Sequence, residues 1–83
     1  MQLQNLSKVA GEQVSVDCKV IAFPEVDYKW SYYNGTIVTN NRQLKLTSLK
    51  AGNEGYYTCH VNNIFGSNEA SFFLRVKGNI KLL

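Results

Sequence analysis

Apolar and polar residues alternate with a period of two over most of this chain. Val14, Val16, Cys18 and Val20 fall on one side and Ser15, Asp17 and Lys19 on the other. That is the mark of a strand with one face on a core. The same alternation sends Tyr28, Trp30 and Tyr32 inward and leaves Lys29, Ser31 and Tyr33 outside. Leu44, Leu46 and Leu49 mark a further strand. Tyr57, Cys59 and Val61 oppose Thr58, His60 and Asn62 in the next, and Ala70, Phe72, Leu74 and Val76 oppose Ser71, Phe73 and Arg75 in the last. No stretch carries the 3.6-residue period of a long helix.

Turn chemistry separates these runs. Gly11 can take the positive φ of a turn after the opening segment, Leu3 to Val9. Asn34-Gly35 is a strong hairpin signal, returning Thr36 to Thr39 beside the tryptophan strand. Lys50 to Gly55 and Asn62 to Asn68 supply two more connections, and Gly78-Asn79 breaks the last strand. The expected molecule is all-β, a single domain over residues 2–77 with residues 78–83 as a tail or the start of a linker. Only 14 positions separate Trp30 from Leu44, so a strand between the two hairpins is short or absent.

Composition narrows the class. With 45% hydrophobic and 18% charged residues the chain is globular and not disordered. No apolar run is long enough to cross a bilayer, and the start, Met1 to Asn5, lacks the basic flank and apolar core of a signal peptide. Either the chain is cytosolic or it is part of a longer protein, and the latter is expected. The net charge of +3 comes from scattered lysines and arginines, which reads as a mixed solvated surface and not as a nucleic-acid footprint.

Three features now combine. Cys18 is followed 12 positions later by Trp30, a corner reads Asn53-x-Gly55-x-Tyr57-x-Cys59, and a hairpin reads Val61-x-Asn63-x-x-Gly66. Together they resemble the immunoglobulin superfamily, its intermediate set in particular, over nearly the whole chain. The resemblance implies a Greek-key β-sandwich of two antiparallel sheets, about A′-B-E (Leu3 to Val9, Val14 to Val20, Leu44 to Leu49) and G-F-C-C′ (Glu69 to Lys77, Tyr57 to Val61, Tyr28 to Tyr33, Thr36 to Thr39). It implies a Cys18–Cys59 bridge packed on Trp30, and a Tyr57 hydroxyl turned back onto the corner backbone. Such a bridge would close 41 positions and stabilise the domain by about 4 kcal/mol. The chain departs from the family in three places: Asn53 stands where an aspartate is usual, Ala22 and Val26 stand where a glycine and a proline are usual, and the span from strand C to strand E is short.

Catalytic and metal chemistry need convergent polar groups. His60 is the only histidine, flanked by outward-facing Thr58 and Asn62, and no nucleophile is evident for it. Two cysteines on separate strands and a histidine facing away do not make a zinc set, and no Asp-x-Asp run gathers calcium. Trp30, Tyr28 and Tyr57 belong to the core, which leaves no ladder for base stacking. The expectation is a non-catalytic domain without cofactor, metal, nucleic acid or direct membrane insertion.

A protein partner is the remaining class. The outward residues of strands A′, B and E are polar. Those of G, F, C and C′ include Lys29, Tyr33, His60, Phe73 and Arg75, and aromatic and arginine side chains dominate interface energetics. The plainer alternative has Phe73 and Tyr33 merely pairing across strands. A second candidate is the F–G tip, where Ile64 and Phe65 are apolar, unless Phe65 packs near Phe23. Two glycosylation acceptors occur, Asn5-Leu6-Ser7 and Asn34-Gly35-Thr36. The expected function is recognition of another protein, homophilic or heterophilic, by one domain of a multidomain adhesion molecule or receptor at the cell surface. The alternatives are a structural domain in an intracellular muscle or cytoskeletal array, and a regulatory module on an intracellular enzyme.

Overall fold

A computed structural model describes residues 2–78. The strands are β1 (Leu6–Val9), β2 (Val14–Asp17), β3 (Asp27–Tyr32), β4 (Ile37–Thr39), β5 (Gln43–Leu46), β6 (Gly55–Asn63) and β7 (Gly66–Lys77), with one 3-10 turn over Ala51–Asn53. They form a five-stranded sheet in the order β1-β7-β6-β3-β4 and a two-stranded sheet of β2 and β5. The sandwich and the inward-facing residues follow the alternation in the sequence, and no strand lies between β4 and β5.

One expectation is corrected. The opening strand does not join β2 and β5: β1 runs parallel to β7, with Leu6 level with Leu74 and Val9 level with Lys77. β6 pairs with one edge of β7 only, and β1 satisfies the backbone groups of the other edge from Leu74 to Lys77. The chain then turns at Gly11, whose φ is 93°, and its N–H donates to the Leu49 carbonyl at 2.8 Å on the other layer.

The F–G connection is also tighter than expected. Pairing continues to Asn63 opposite Gly66, leaving only Ile64 and Phe65 in the turn, because the Asn63 side-chain oxygen accepts the Phe65 N–H at 2.9 Å. The expected tail from residue 79 onward lies outside the described residues.

The core sits between the layers. Trp30, Leu44, Phe72, Leu74 and Cys59 are fully buried, with Cys18, Leu49 and Tyr57 nearly so. Phe72 meets Trp30 edge-on at 5.9 Å and stacks on Tyr57 at 5.5 Å. The indole N–H is not left unpaired, since it donates to the Arg42 carbonyl at 3.1 Å. Cys18, just past β2, is bonded to Cys59 in β6, a covalent tie between the two sheets.

One end of the sandwich is closed by a polar corner. The Tyr57 hydroxyl donates to the Asn53 carbonyl at 2.5 Å, and the Tyr32 hydroxyl donates to the Glu54 carbonyl. Burial, reinforced by the neighbouring Tyr32, pushes the Tyr57 pKa up to about 12, and burial raises that of Tyr32 as well. Asn53 does what its usual aspartate would do locally, accepting the Lys50 N–H at 2.8 Å. Arg42 pairs with Asp17 at 2.8 Å, both side chains being largely exposed. Gly55 is required twice over: its φ is 145°, and an added Cβ would lie 2.8 Å from the Tyr32 hydroxyl oxygen. Glu54 completes the corner by accepting the Val76 N–H at 2.9 Å.

Candidate recognition surface

The outer face of the five-stranded sheet is built in rows, because β6 pairs with β3 on one side and β7 on the other. Tyr56 lies opposite Phe73. Thr58 lies opposite both Ser31 and Ser71, and His60 opposite both Lys29 and Glu69.

The row nearest the polar corner is aromatic. Tyr56 and Phe73 meet edge-on with centroids 5.0 Å apart, and Tyr33 packs on Tyr32 at 4.6 Å. Tyr33 is 71% exposed and Tyr56 56%, while Phe73 is half-buried. Arg75, two residues further along β7, is exposed. Phe73 therefore does pair across strands, yet its partner Tyr56 keeps most of its own surface in water, so pairing and display coexist in one cluster. The Phe73 backbone N–H donates to the Asn5 side chain at 2.8 Å, anchoring the segment before β1 to this face.

The middle row is made of hydroxyls. Thr58 and Ser71 are hydrogen-bonded at 2.7 Å. Ser31 Oγ lies 3.1 Å from His60 Nε2, and His60 Nδ1 lies 2.9 Å from a Glu69 carboxylate oxygen. The sequence shows no evident nucleophile for His60; strand register places the Ser31 hydroxyl on one side of its ring and the Glu69 carboxylate on the other. A serine, histidine and carboxylate in this order resemble a proton relay. Ser31 sits where the pairing of β3 with β4 shifts register, and its hydroxyl is part-buried beneath the imidazole. The arrangement fixes the imidazole in place as a flat, half-exposed polar centre beside exposed Lys29.

Lys29, His60, Phe73 and Arg75 thus share one face, while Tyr33, just past the end of β3, packs on Tyr32, itself packed against the core. Phe65 does not belong to that face. It stands in the F–G turn, beyond Asn63 and Gly66, at the end of the sandwich away from the aromatic row. Of the two alternatives for it, an exposed tip residue or one packed near Phe23, the first is observed: Phe65 remains 78% exposed and Phe23 94%.

Tyr56 is the face residue that sequence reasoning missed. Its alternation with Tyr57 already points it outward, but its place opposite Phe73 follows only once the turn is confined to Ile64 and Phe65. Among the described residues no group of three His, Cys, Asp or Glu side chains is gathered for a metal ion. Both glycosylation acceptors are exposed. Asn34 holds the β3–β4 turn through its side-chain oxygen, which accepts the Thr36 N–H at 3.0 Å.

Comparison with known proteins agrees with this architecture. A family profile described as Immunoglobulin domain matches residues 1–63. The muscle M-line assembly protein unc-89 of Caenorhabditis elegans is 29% identical over 92% of this chain. The cell adhesion molecule DSCAM of Rattus norvegicus is 32% identical over 88% of it. The chain spans only 1% and 4% of those two proteins, respectively. Among solved structures, the Ig-like domain of human leucine-rich repeat-containing protein 4 superposes with a TM-score of 0.78 at 26% identity, covering 95% of this chain and 85% of that one. With the bridge, the buried tryptophan and the tyrosine corner all in place, the chain belongs to the immunoglobulin domain family.

Proposed function

We propose that this domain is a non-catalytic recognition module of a cell-surface adhesion molecule or receptor, one domain of a longer chain. It engages another protein through the outer face of the five-stranded sheet. The observation that carries the reading is the aromatic pair: Tyr56 is mostly exposed and meets Phe73 edge-on, with exposed Arg75 two residues further along β7 and exposed Tyr33 just past the end of β3. Rigid aromatic side chains next to an arginine are the residue types in which binding energy concentrates. Lys29 and His60 extend the face with polar contacts whose geometry is already set. The likeness to DSCAM is consistent with this reading. So are the Cys18–Cys59 bridge, which suits an oxidising compartment, and the exposed acceptors Asn5 and Asn34.

The likeness to unc-89 over most of the chain favours a second reading, a structural domain in an intracellular array. Display of the multimerised domain to cells separates the two. The recognition reading expects saturable binding to intact cells that Tyr33→Ala, Phe73→Ala or Arg75→Ala weakens at least tenfold. Lys45→Ala and Thr47→Ala, on the two-stranded layer, should leave it unchanged. Equal loss in both sets, or no binding to any cell type tested, counts against the sheet face.

A further inference from the structure

The least expected feature of the surface is the end opposite the polar corner. Two loops meet there, the β2–β3 connection and the β6–β7 turn. Each projects a pair of large apolar side chains: Ile21 at 98% and Phe23 at 94% exposure from one, Ile64 at 84% and Phe65 at 78% from the other. A solvated loop tip ordinarily holds small polar residues, and apolar patches of this kind mark contact sites. The tip is also held in shape. The Asn63 amide donates to the Pro24 carbonyl at 2.8 Å, tying one loop to the other, and the Asn63 side-chain oxygen caps the turn at Phe65.

Between the loops lies a shallow hollow of about 330 Å³, with Val20, Ile21, Ala22, Val26 and Val61 on one part of its wall and Asn63, Ser67 and Asn68 on another. Protruding aromatic side chains and a partly apolar hollow therefore occupy the same patch. A two-fold contact requires that combination, because each copy must offer both the projection and its receptacle. Charge points the same way. The chain carries a net +3, whereas the patch over residues 20–26 and 61–68 holds a single charged residue, Glu25. Two copies therefore meet little like charge at this end.

We infer that the tip is a homophilic contact: two copies of the domain dock end to end, each seating Phe23 or Phe65 in the hollow of the other. This goes beyond the sheet-face reading and does not depend on it. Four exposed side chains present on the order of 500–600 Å² per copy, so the paired surface falls at the low end of specific interfaces. The contact is accordingly weak for isolated domains and gains strength when several copies are held together on one surface.

Sedimentation equilibrium of the chain from micromolar to millimolar concentration, with amide chemical-shift mapping on dilution, tests this. The expected result is reversible dimerisation that Phe65→Ser and Ile64→Ser each weaken at least tenfold, while Tyr33→Ser on the sheet face leaves it unchanged. Dilution shifts should be confined to residues 20–26 and 61–68. Raising the salt concentration should leave the dimer intact or strengthen it, since no charge pair holds it. Near-ultraviolet circular dichroism from Trp30 reports whether each variant is folded. A monomer at every concentration overturns the inference, as does a dimer insensitive to Phe65→Ser, one dissolved by salt, or dilution shifts mapped to the sheet face. A monomer whose tip signals shift only with zwitterionic vesicles would reassign the patch to a lipid surface and overturn it equally.

Discussion

The two ends of the sandwich solve opposite problems. At the corner, where the 3-10 turn leads into β6, three large side chains are bonded to backbone, Tyr57 to Asn53, Tyr32 to Glu54 and Glu54 to Val76, although Tyr56 beside them stays exposed. At the tip, where β6 turns into β7, apolar side chains stand in water over a hydrogen-bonded frame. The same strands β3, β6 and β7 run between them, so the contrast does not come from topology. It comes from what the loop residues do with their bonding groups. The corner uses polar atoms to close the fold, and the tip uses Asn63 to hold loops whose side chains have no intramolecular partner. One end is therefore expected to govern stability and the other association.

The largest effect expected on the closed side is loss of the bridge. Replacing Cys18 and Cys59 together by alanine should lower stability by about 4 kcal/mol for a loop of 41 positions, read as a fall in the denaturant midpoint. Next comes Gly55→Ala, which combines a positive φ of 145° with a 2.8 Å approach to Tyr32. Strain and overpacking together should cost about 2–4 kcal/mol. A loss below about 1 kcal/mol would mean that the corner yields, and the contrast between the ends would narrow.

Alkaline titration sharpens the comparison further. The folded Tyr57 pKa of about 12 lies above its ordinary value of 10.0, so the folded state holds its proton where the unfolded chain releases it. The stabilisation is fully present below pH 10 and is lost as pH rises from 10 to 12, by about 2–3 kcal/mol in all. Tyr57→Phe removes this titrating group and should flatten that part of the stability profile. At neutral pH it should cost about 1–2 kcal/mol, because the Asn53 carbonyl loses its donor. The smallest effect belongs to the tip: Phe65→Ser should change stability by no more than about 0.5 kcal/mol while altering association. A large destabilisation would show that the tip is part of the core after all.

Much of this was legible in the sequence. Alternation placed Trp30, Phe72 and Leu74 inside, and the run from Asn53 to Cys59 announced the corner. Other features depended on distances that alternation does not carry. Leu6 faces inward whichever layer β1 joins, so its pairing with β7 could not be read from its pattern. The Ser31, His60 and Glu69 constellation and the Tyr56–Phe73 pair are consequences of register, which a one-residue change in the turn would have undone. Phe65 is apolar in either case; whether it is buried depends on how far the β2–β3 loop reaches, and that loop stops short of covering it.

Thiol labelling with mass spectrometry on protein from its native source tests most directly the proposal of a recognition module made in an oxidising compartment. The same digest reads any glycan on Asn5 or Asn34. The expected result is a bridged Cys18–Cys59 pair and glycan mass on at least one of the two asparagines. Free thiols at Cys18 and Cys59 with both asparagines bare would contradict it and move the domain to the interior of the cell.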